Sequence, residues 1–596
     1  MIGRRAQGAI DAAVPRALLA VAVGAAVAAC ASSPGSPSPA AGRLGAAESL
    51  YGGLRDLRDR IDVATAAGRT ESDGTPLGAL AVRHDSLRAQ LSVRLQAVDS
   101  AALRGDDARA LGIMRRTLAR DLGPVAPGGS AAGASGVIAS AGTRAGGPPD
   151  CAYDAPAIAA LPNGLDSLRA RLYACYGWAQ SHVVAGADTL DRLTIFDALA
   201  QTEDAGRRRE LFLALEPVWR SVNADGGPSS PYRRLIALEV KARGSGELPA
   251  AGQARASGLP PDSLERWLVV VLQAWRDAAP DSLIEPWDWY YETGRTSRVL
   301  GPRIPRDRLT ALNEEVWRSL GADVSRIGVR YDLSPREGKT PVAFTTFGGR
   351  QPIQPWVFAT YRTGGLDNLN ELLHETGHAI HIAAIRTRPA FRDWPDSDPF
   401  IEAVADFAAL DVYEPAWQQR WLGDSVPLAD GLRGRYGGIV LDVAWALFEA
   451  RMLRDPTADP DQVWTALTRD YLRIRPHPEL SWWAMRGQLV EAPGYMMNYA
   501  AGAMLIAAVR ARTRALHGPF TTGDSTWYAW IAPRLYRFGL ERPTREVIEE
   551  YLGGPVTPAA LLEDMRRMRP VRPRKRRRSG RAIEASRVFR GPARSL

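Results

Sequence analysis

The chain has 596 residues, 45% of them hydrophobic and 24% charged, a balance that excludes a polytopic membrane protein and a wholly disordered one. Its net charge of +9 suggests a nucleic-acid binder, but from Arg566 onward thirteen Lys/Arg face one acid, Glu584, so residues 566–596 carry +12 and the rest sums to −3. The body is therefore not basic, and no specific nucleic-acid partner is expected.

In chain order, Arg4, Arg5 and Arg16 precede thirteen uncharged residues, Ala17 to Ala29, that end at Cys30. This layout predicts a signal peptide over 1–29, since a membrane-spanning helix needs about 20 apolar residues. Val27-Ala28-Ala29-Cys30 resembles a bacterial lipobox, which implies lipidation of Cys30. A Ser/Pro/Ala tether over 30–46 would follow. The expected location is then outside the cytoplasm, with a lipid anchor in a membrane and the protein on its periplasmic or cell-surface side.

Residues 47–122 form an N-terminal helical segment, in which Leu54–Ala67 and Asp85–Leu122 carry apolar residues at three- and four-residue spacing and predict an antiparallel helical pair. In Gly123–Pro149, 22 of 27 residues are Gly, Ala, Pro or Ser, so 123–149 reads as a low-complexity linker. Cys151 and Cys175 are the remaining cysteines. In an exported chain a disulfide between them is allowed, and two buried thiols are the alternative.

From 150 to 565 the pattern is mostly helical. Pro341–Phe347 and Pro355–Tyr361, separated by Gly348-Gly349, are rich in β-branched and aromatic residues and predict a β-hairpin. Trp482 and Trp483 read as core residues. The tail, 566–596, lacks apolar periodicity and reads as disordered.

Three of the seven histidines lie within eight residues, in His374-Glu375-Thr376-Gly377-His378-Ala379-Ile380-His381. A chance His-Glu-x-x-His in this composition is expected roughly 0.005 times. On a helix, His374 and His378 share a face one turn apart and can bind one Zn2+ per chain. Glu375, about 100° round from His374, is placed to polarise a water rather than to ligate. A third ligand is needed. Glu402 is the candidate, on a second helix after a Pro-rich loop, and Glu371 is the competitor. Asp406, one turn past Glu402, is placed to accept the free ring N–H of a liganding histidine, and His381 is expected as a hydrogen-bonded neighbour of the ligands.

These residues resemble the zinc-binding core of the thimet oligopeptidase/oligopeptidase A family, related to the angiotensin-converting enzyme family. Pro286-Trp287-Asp288-Trp289-Tyr290-Tyr291 and Asp332-Leu333-Ser334-Pro335-Arg336-Glu337-Gly338-Lys339 add to the likeness, which spans roughly 189–512. The resemblance implies a mostly α, large, helical, two-lobed metallopeptidase with a deep cleft and a small β-hairpin or sheet beside the zinc helix. It implies short peptide substrates, and oxyanion-donating tyrosines in Pro493-Gly494-Tyr495-Met496-Met497-Asn498-Tyr499-Ala500, where Tyr495 and Tyr499 both qualify. An extended peptide would pair with an edge strand near 342–347.

Two alternatives stand beside the oligopeptidase expectation. A dipeptidyl carboxypeptidase needs a cation for the substrate's carboxylate. Before the tail the lysines are Lys241 and Lys339, and Arg486 is the substitute. A non-enzymatic metal-binding lipoprotein would have no use for the unligated Glu375.

Overall fold

The computed structural model describes residues 39–568 apart from 121, 124–150, 152–153, 245–248, 281, 337–338 and 340–342. The expected signal peptide, Cys30, the start of the tether, the linker from 124, Val342 and the tail past Met568 lie outside the described residues. No helix among the described residues is long and apolar enough to cross a membrane. The elements that bear on the site are labelled below in chain order.

The first helix, α1 (Pro39–Ala66), begins inside the segment expected as a tether. Leu44, Ala47, Tyr51 and Leu54 are buried along it at spacings of three, four and three, so the helix follows its own apolar stripe. The expected pair is in fact three helices. α2 (Leu77–Gln96) and α3 (Gly105–Arg120) are separated where Asp99 accepts the Ala101 N–H and Gly105 takes φ +53°. These helices bury their own apolar clusters, with Phe391 of the body inserted among Leu44, Tyr51, Leu91 and Met114. Ion pairs also join them to the body: Arg388 to Glu48 at 2.6 Å and to Asp107 at 2.7 Å, Arg350 to Asp59 at 2.6 Å, and Arg55 to Asp393 at 2.7 Å.

The body starts with a disulfide, Cys151 to Cys175, which settles the cysteines' alternatives. Cys175 lies in α4 (Leu165–Ser181), and α5 (Arg192–Gln201) follows after a short hairpin. One apolar core runs from Leu161 to Met568, with Trp317, Trp417, Trp464, Trp483 and Trp527 fully buried and Trp482 beside them.

The sheet that matters has three strands, β1 (Arg330–Asp332), β2 (Phe344–Arg350) and β3 (Ile353–Phe358), in the order β1-β3-β2. β1 is parallel to β3, and β2 is antiparallel to it in the register Phe344↔Phe358 and Thr345↔Val357. The hairpin is therefore present, but its turn is at Gln351-Pro352. Gly348 is in the strand because a Cβ there would lie 1.9 Å from Trp356 Cδ1. Its smallness serves a close approach, not a turn.

Helix α6 (Leu366–Ala384) lies on one face of this sheet and α1 on the other: Phe347 meets Ile382 and Ile385, while Phe344 and Phe358 meet Val63 and Ala67. Helix α7 (Asp398–Ala409) is started by Ser397, whose hydroxyl accepts the Phe400 N–H at 3.1 Å. Helices α8 (Leu428–Arg454) and α9 (Met496–Leu516) complete the site's surroundings. The buried Glu449 of α8 accepts the N–H groups of Gly494 and Met496 at 2.8 and 2.9 Å, which fixes the start of α9 and the adjacent Tyr495.

Candidate metal centre and cleft

Helices α6 and α7 cross closely at Gly377, where an added Cβ would lie 2.3 Å from the Ala405 carbonyl oxygen. This crossing sets His374 and His378 against Glu402. His374 Nε2 is 3.5 Å and His378 Nε2 3.9 Å from Glu402 Oε2, and one ligand atom from each of the three residues lies within 4.8 Å of the others. Two ligands at about 2.0–2.1 Å from a tetrahedrally bound zinc stand about 3.3 Å apart, so the donors fit such an ion with a slight contraction. Glu371 is not in this group.

Asp406 Oδ1 lies 2.8 Å from His374 Nδ1. Burial pushes the His374 imidazole down, but Asp406, Glu402 and Glu375 outweigh it and hold the ring well above its usual range. His378 is held well below that range by burial and by its neighbours His374 and His381. His381 departs from expectation. It is fully buried, among the described residues neither ring nitrogen has a hydrogen-bond partner, and it packs on Trp394, Phe400 and Tyr536. Burial takes its pKa down to about 3, so it is a neutral core residue. The helix turns it toward segments distant in sequence, where apolar rings enclose it.

Glu375 lies beside the three donors, 7% exposed. Thr345 Oγ1 is 2.6 Å from its Oε2 and 2.8 Å from its main-chain oxygen. Burial raises the carboxyl to about 7, against the opposing pull of His374 and Thr345. Across the cleft Tyr495 and Tyr499 stand with ring centroids 5.5 Å apart. Gln488 donates to the Tyr499 hydroxyl at 3.3 Å, so that hydroxyl's own proton is left to point elsewhere. Burial, reinforced by the nearby Glu402, pushes both phenols far up, and both stay protonated donors.

The cleft that holds these groups has a volume of about 1620 Å³, above the usual 300–1,000 Å³ of a small-molecule site. Residues of α1, α3, α4, β2 and α9 line it together with His374, His378, Glu402 and Asp406. One edge of the sheet opens into it. The Ala359 N–H donates to the Asp332 carbonyl, so alternate residues of β3 turn to β1, and Trp356 and Phe358 turn to Thr346 and Phe344. The N–H and C=O groups of Thr345 and Phe347 are thus left facing the open edge.

The cations are distributed differently from expectation. Lys339 is tied to Asp332, Ser334 and the Ala359 carbonyl at the end of the sheet. Arg486 lines the cleft but pairs with Asp442 and lies over the Trp445 ring. Arg192, which the sequence did not single out, lines the same cleft at 9% exposure. Its Nε donates to Gln180 at 3.4 Å, and among the described residues no carboxylate pairs with it. Thr345 was also missed, since nothing in a β-branched run separates it from Thr346.

No family model matches the chain, and no curated protein matches it in sequence. The fold is shared with solved structures. The M32 carboxypeptidase from Deinococcus radiodurans R1 is 16% identical, with 88% of this chain and 98% of that chain covered and a TM-score of 0.51. The Pyrococcus furiosus carboxypeptidase is 12% identical, over 88% and 98% of the two chains, at a TM-score of 0.50. PZ peptidase A, solved with an inhibitor, is 12% identical over 88% and 96%, at a TM-score of 0.50. The chain therefore shares the mostly helical, small-sheeted fold of these solved peptidases. Carboxypeptidases and PZ peptidase A share this fold with the chain to the same degree, so the fold does not single out the oligopeptidase family that the motif resembles.

Proposed function

We propose that the protein is a zinc metallopeptidase that hydrolyses short peptides in this cleft. One observation carries the reading: His374, His378 and Glu402 converge from two helices while Glu375 stands beside them as a carboxylate outside the donor group. A metal site kept only for stability needs no such neighbour. The fold neighbours, carboxypeptidases and a peptidase, support the same class.

His374, His378 and Glu402 would hold the ion, and Asp406 would fix the His374 tautomer through Nδ1. Zinc bound there supplies Lewis acidity toward a water and the scissile carbonyl. Glu375 takes the water's proton and passes it to the leaving amine. Tyr499 or Tyr495 donates its O–H to the carbonyl oxygen as charge builds on it. The open groups of Thr345 and Phe347 pair with the main chain of an extended peptide, independently of its side chains.

Glu375→Gln tests the proposal: hydrolysis of short peptides stops while zinc stays near one per chain. Loss of metal along with activity would instead make Glu375 a ligand. Arg192 favours a second reading, removal of residues from the C-terminus, because it lines the cleft and among the described residues no carboxylate pairs with its guanidinium, which donates to Gln180 and lies over the Phe196 ring. Under the oligopeptidase reading, amidated and free peptides are cut at similar rates. Under the second, amidation or Arg192→Ala costs a charge-assisted contact worth about 1.5–3 kcal/mol. Export and anchoring through Cys30 belong to the same proposal, supported by residues 17–30 and by the disulfide, a bond of oxidising compartments.

A further inference from the structure

We propose that Thr345 is a positioning residue for Glu375, and that its hydroxyl sets which carboxylate oxygen faces the reaction. This rests on the metallopeptidase reading and deepens it. Side chains alternate across β2. Phe344 packs toward α1, and Thr345 points the other way, onto α6, where its Oγ1 reaches both the Glu375 main-chain oxygen and Oε2 at 2.8 and 2.6 Å. A hydroxyl has one proton and two lone pairs. The short contact to Oε2 places that proton on the carboxylate. Among the described residues no other side chain hydrogen-bonds this carboxyl.

A glutamate needs such a hold. Its last torsion is broad and roughly two-fold, so a carboxylate with no partner would sample several directions in a cleft of this size. Catalytic groups work when held within about 0.5 Å of their productive geometry. Threonine suits the task because its branched Cβ is stiff at χ1. With Oε2 held, Oε1 is the oxygen left for the water. Thr345 also turns its own N–H and C=O to the open edge of the sheet, so one residue aligns both the peptide and the base.

The test uses the zinc-loaded full chain with Thr345→Val, which keeps the shape and removes the hydroxyl, and Thr345→Ser, which keeps the hydroxyl. Thr345→Val should hold one zinc per chain and lose about 10–100-fold in kcat, the usual scale for such outer partners, with KM changed by less than about twofold. Thr345→Ser should restore kcat to within about threefold of the parent, on the same scale. Metal-free crystals give a readout independent of turnover: the Glu375 carboxylate leaves its place in Thr345→Val and keeps it in Thr345→Ser. Parent-like kcat in Thr345→Val, an equal loss in Thr345→Ser, or an unmoved carboxylate in the valine variant would each overturn the inference. A parent that cleaves peptides beside an inactive Glu375→Gln keeps the metallopeptidase reading whichever way Thr345 falls. An inactive parent removes that reading, and the crystals still decide whether Thr345 holds the carboxylate.

Discussion

Gly377 links the backbone packing of two helices to the candidate metal centre, and the effect of a single methyl group there can be worked out. In Gly377→Ala the new Cβ would stand 2.3 Å from Ala405 O, 2.8 Å from its Cα and 2.9 Å from its carbonyl carbon. All three are backbone atoms, so no side chain can swing aside. Non-bonded heavy atoms rest near 3.5 Å, so α7 must withdraw by about 1 Å. Ala405 lies between Glu402 and Asp406, so both carboxylates withdraw with it. A ligand bond tolerates about 0.2 Å, and the 2.8 Å contact from Asp406 to His374 would stretch past hydrogen-bond range. Loss of an outer partner alone costs about 10–100-fold in metal affinity, so a loss of at least about 100-fold is expected. Overpacking adds about 1–3 kcal/mol of destabilisation. Gly53→Ala is the control, on α1 with nothing within 4 Å of its added Cβ. The assay is competition for zinc with a chromophoric chelator, alongside thermal melting. Zinc affinity in Gly377→Ala equal to that of Gly53→Ala would refute the reasoning.

In the same chelator assay, Glu402→Ala should release zinc far more readily than Glu371→Ala, and equal retention would sink the choice of third ligand. Tyr499→Phe should lower kcat about 10²–10³-fold, as loss of an oxyanion donor does, with Tyr495→Phe affected less because among the described residues no side chain hydrogen-bonds its hydroxyl, whereas Gln488 holds that of Tyr499. The reverse order would move the role to Tyr495. Burial alone would raise the Asp564 carboxyl, but Arg435, Tyr436 and Arg567 hold it down at about 2, below its ordinary 3.8. With the folded pKa depressed, its stabilisation of about 2 kcal/mol is present above pH 3.8 and lost as pH falls toward 2. Urea midpoints between pH 5 and 2 should fall less steeply in Asp564→Asn, and parallel slopes would remove Asp564 from the acid limb.

The grouping of His374, His378 and Glu402 was legible because helical periodicity does most of the work. His374 and His378 share a face by spacing alone, and Glu402 and Asp406 repeat that interval on the next helix. What the sequence concealed depends on contacts from far along the chain. His381 has its ring partners in Trp394, Phe400 and Tyr536, and no local pattern announces them. Gly348 reads as a turn residue until Trp356 is seen lying across it. The start of α1 was mistaken for tether because alanine-rich sequence suits both, and only burial of Leu44 and Ala47 distinguishes them. Thr345 and Arg192 gain their meaning from tertiary neighbours: the first from a helix thirty residues away, the second from a cleft assembled by both halves of the chain.

The attachment of α1–α3 has a consequence for the order in which the molecule assembles. Translation delivers these helices well before the surfaces they rest on: Arg388 meets Glu48 across 340 residues, and the carbonyls of Leu540 and Glu541 meet Arg109 across more than 430. Contacts of such separation form slowly, because the chain between them must be brought to order first. A helical unit made before its docking surface is thus among the last to dock. Until then Leu44, Tyr51 and Met114 lack the Phe391 ring that closes their cluster, and the nascent chain carries an exposed apolar face of the kind that chaperones hold.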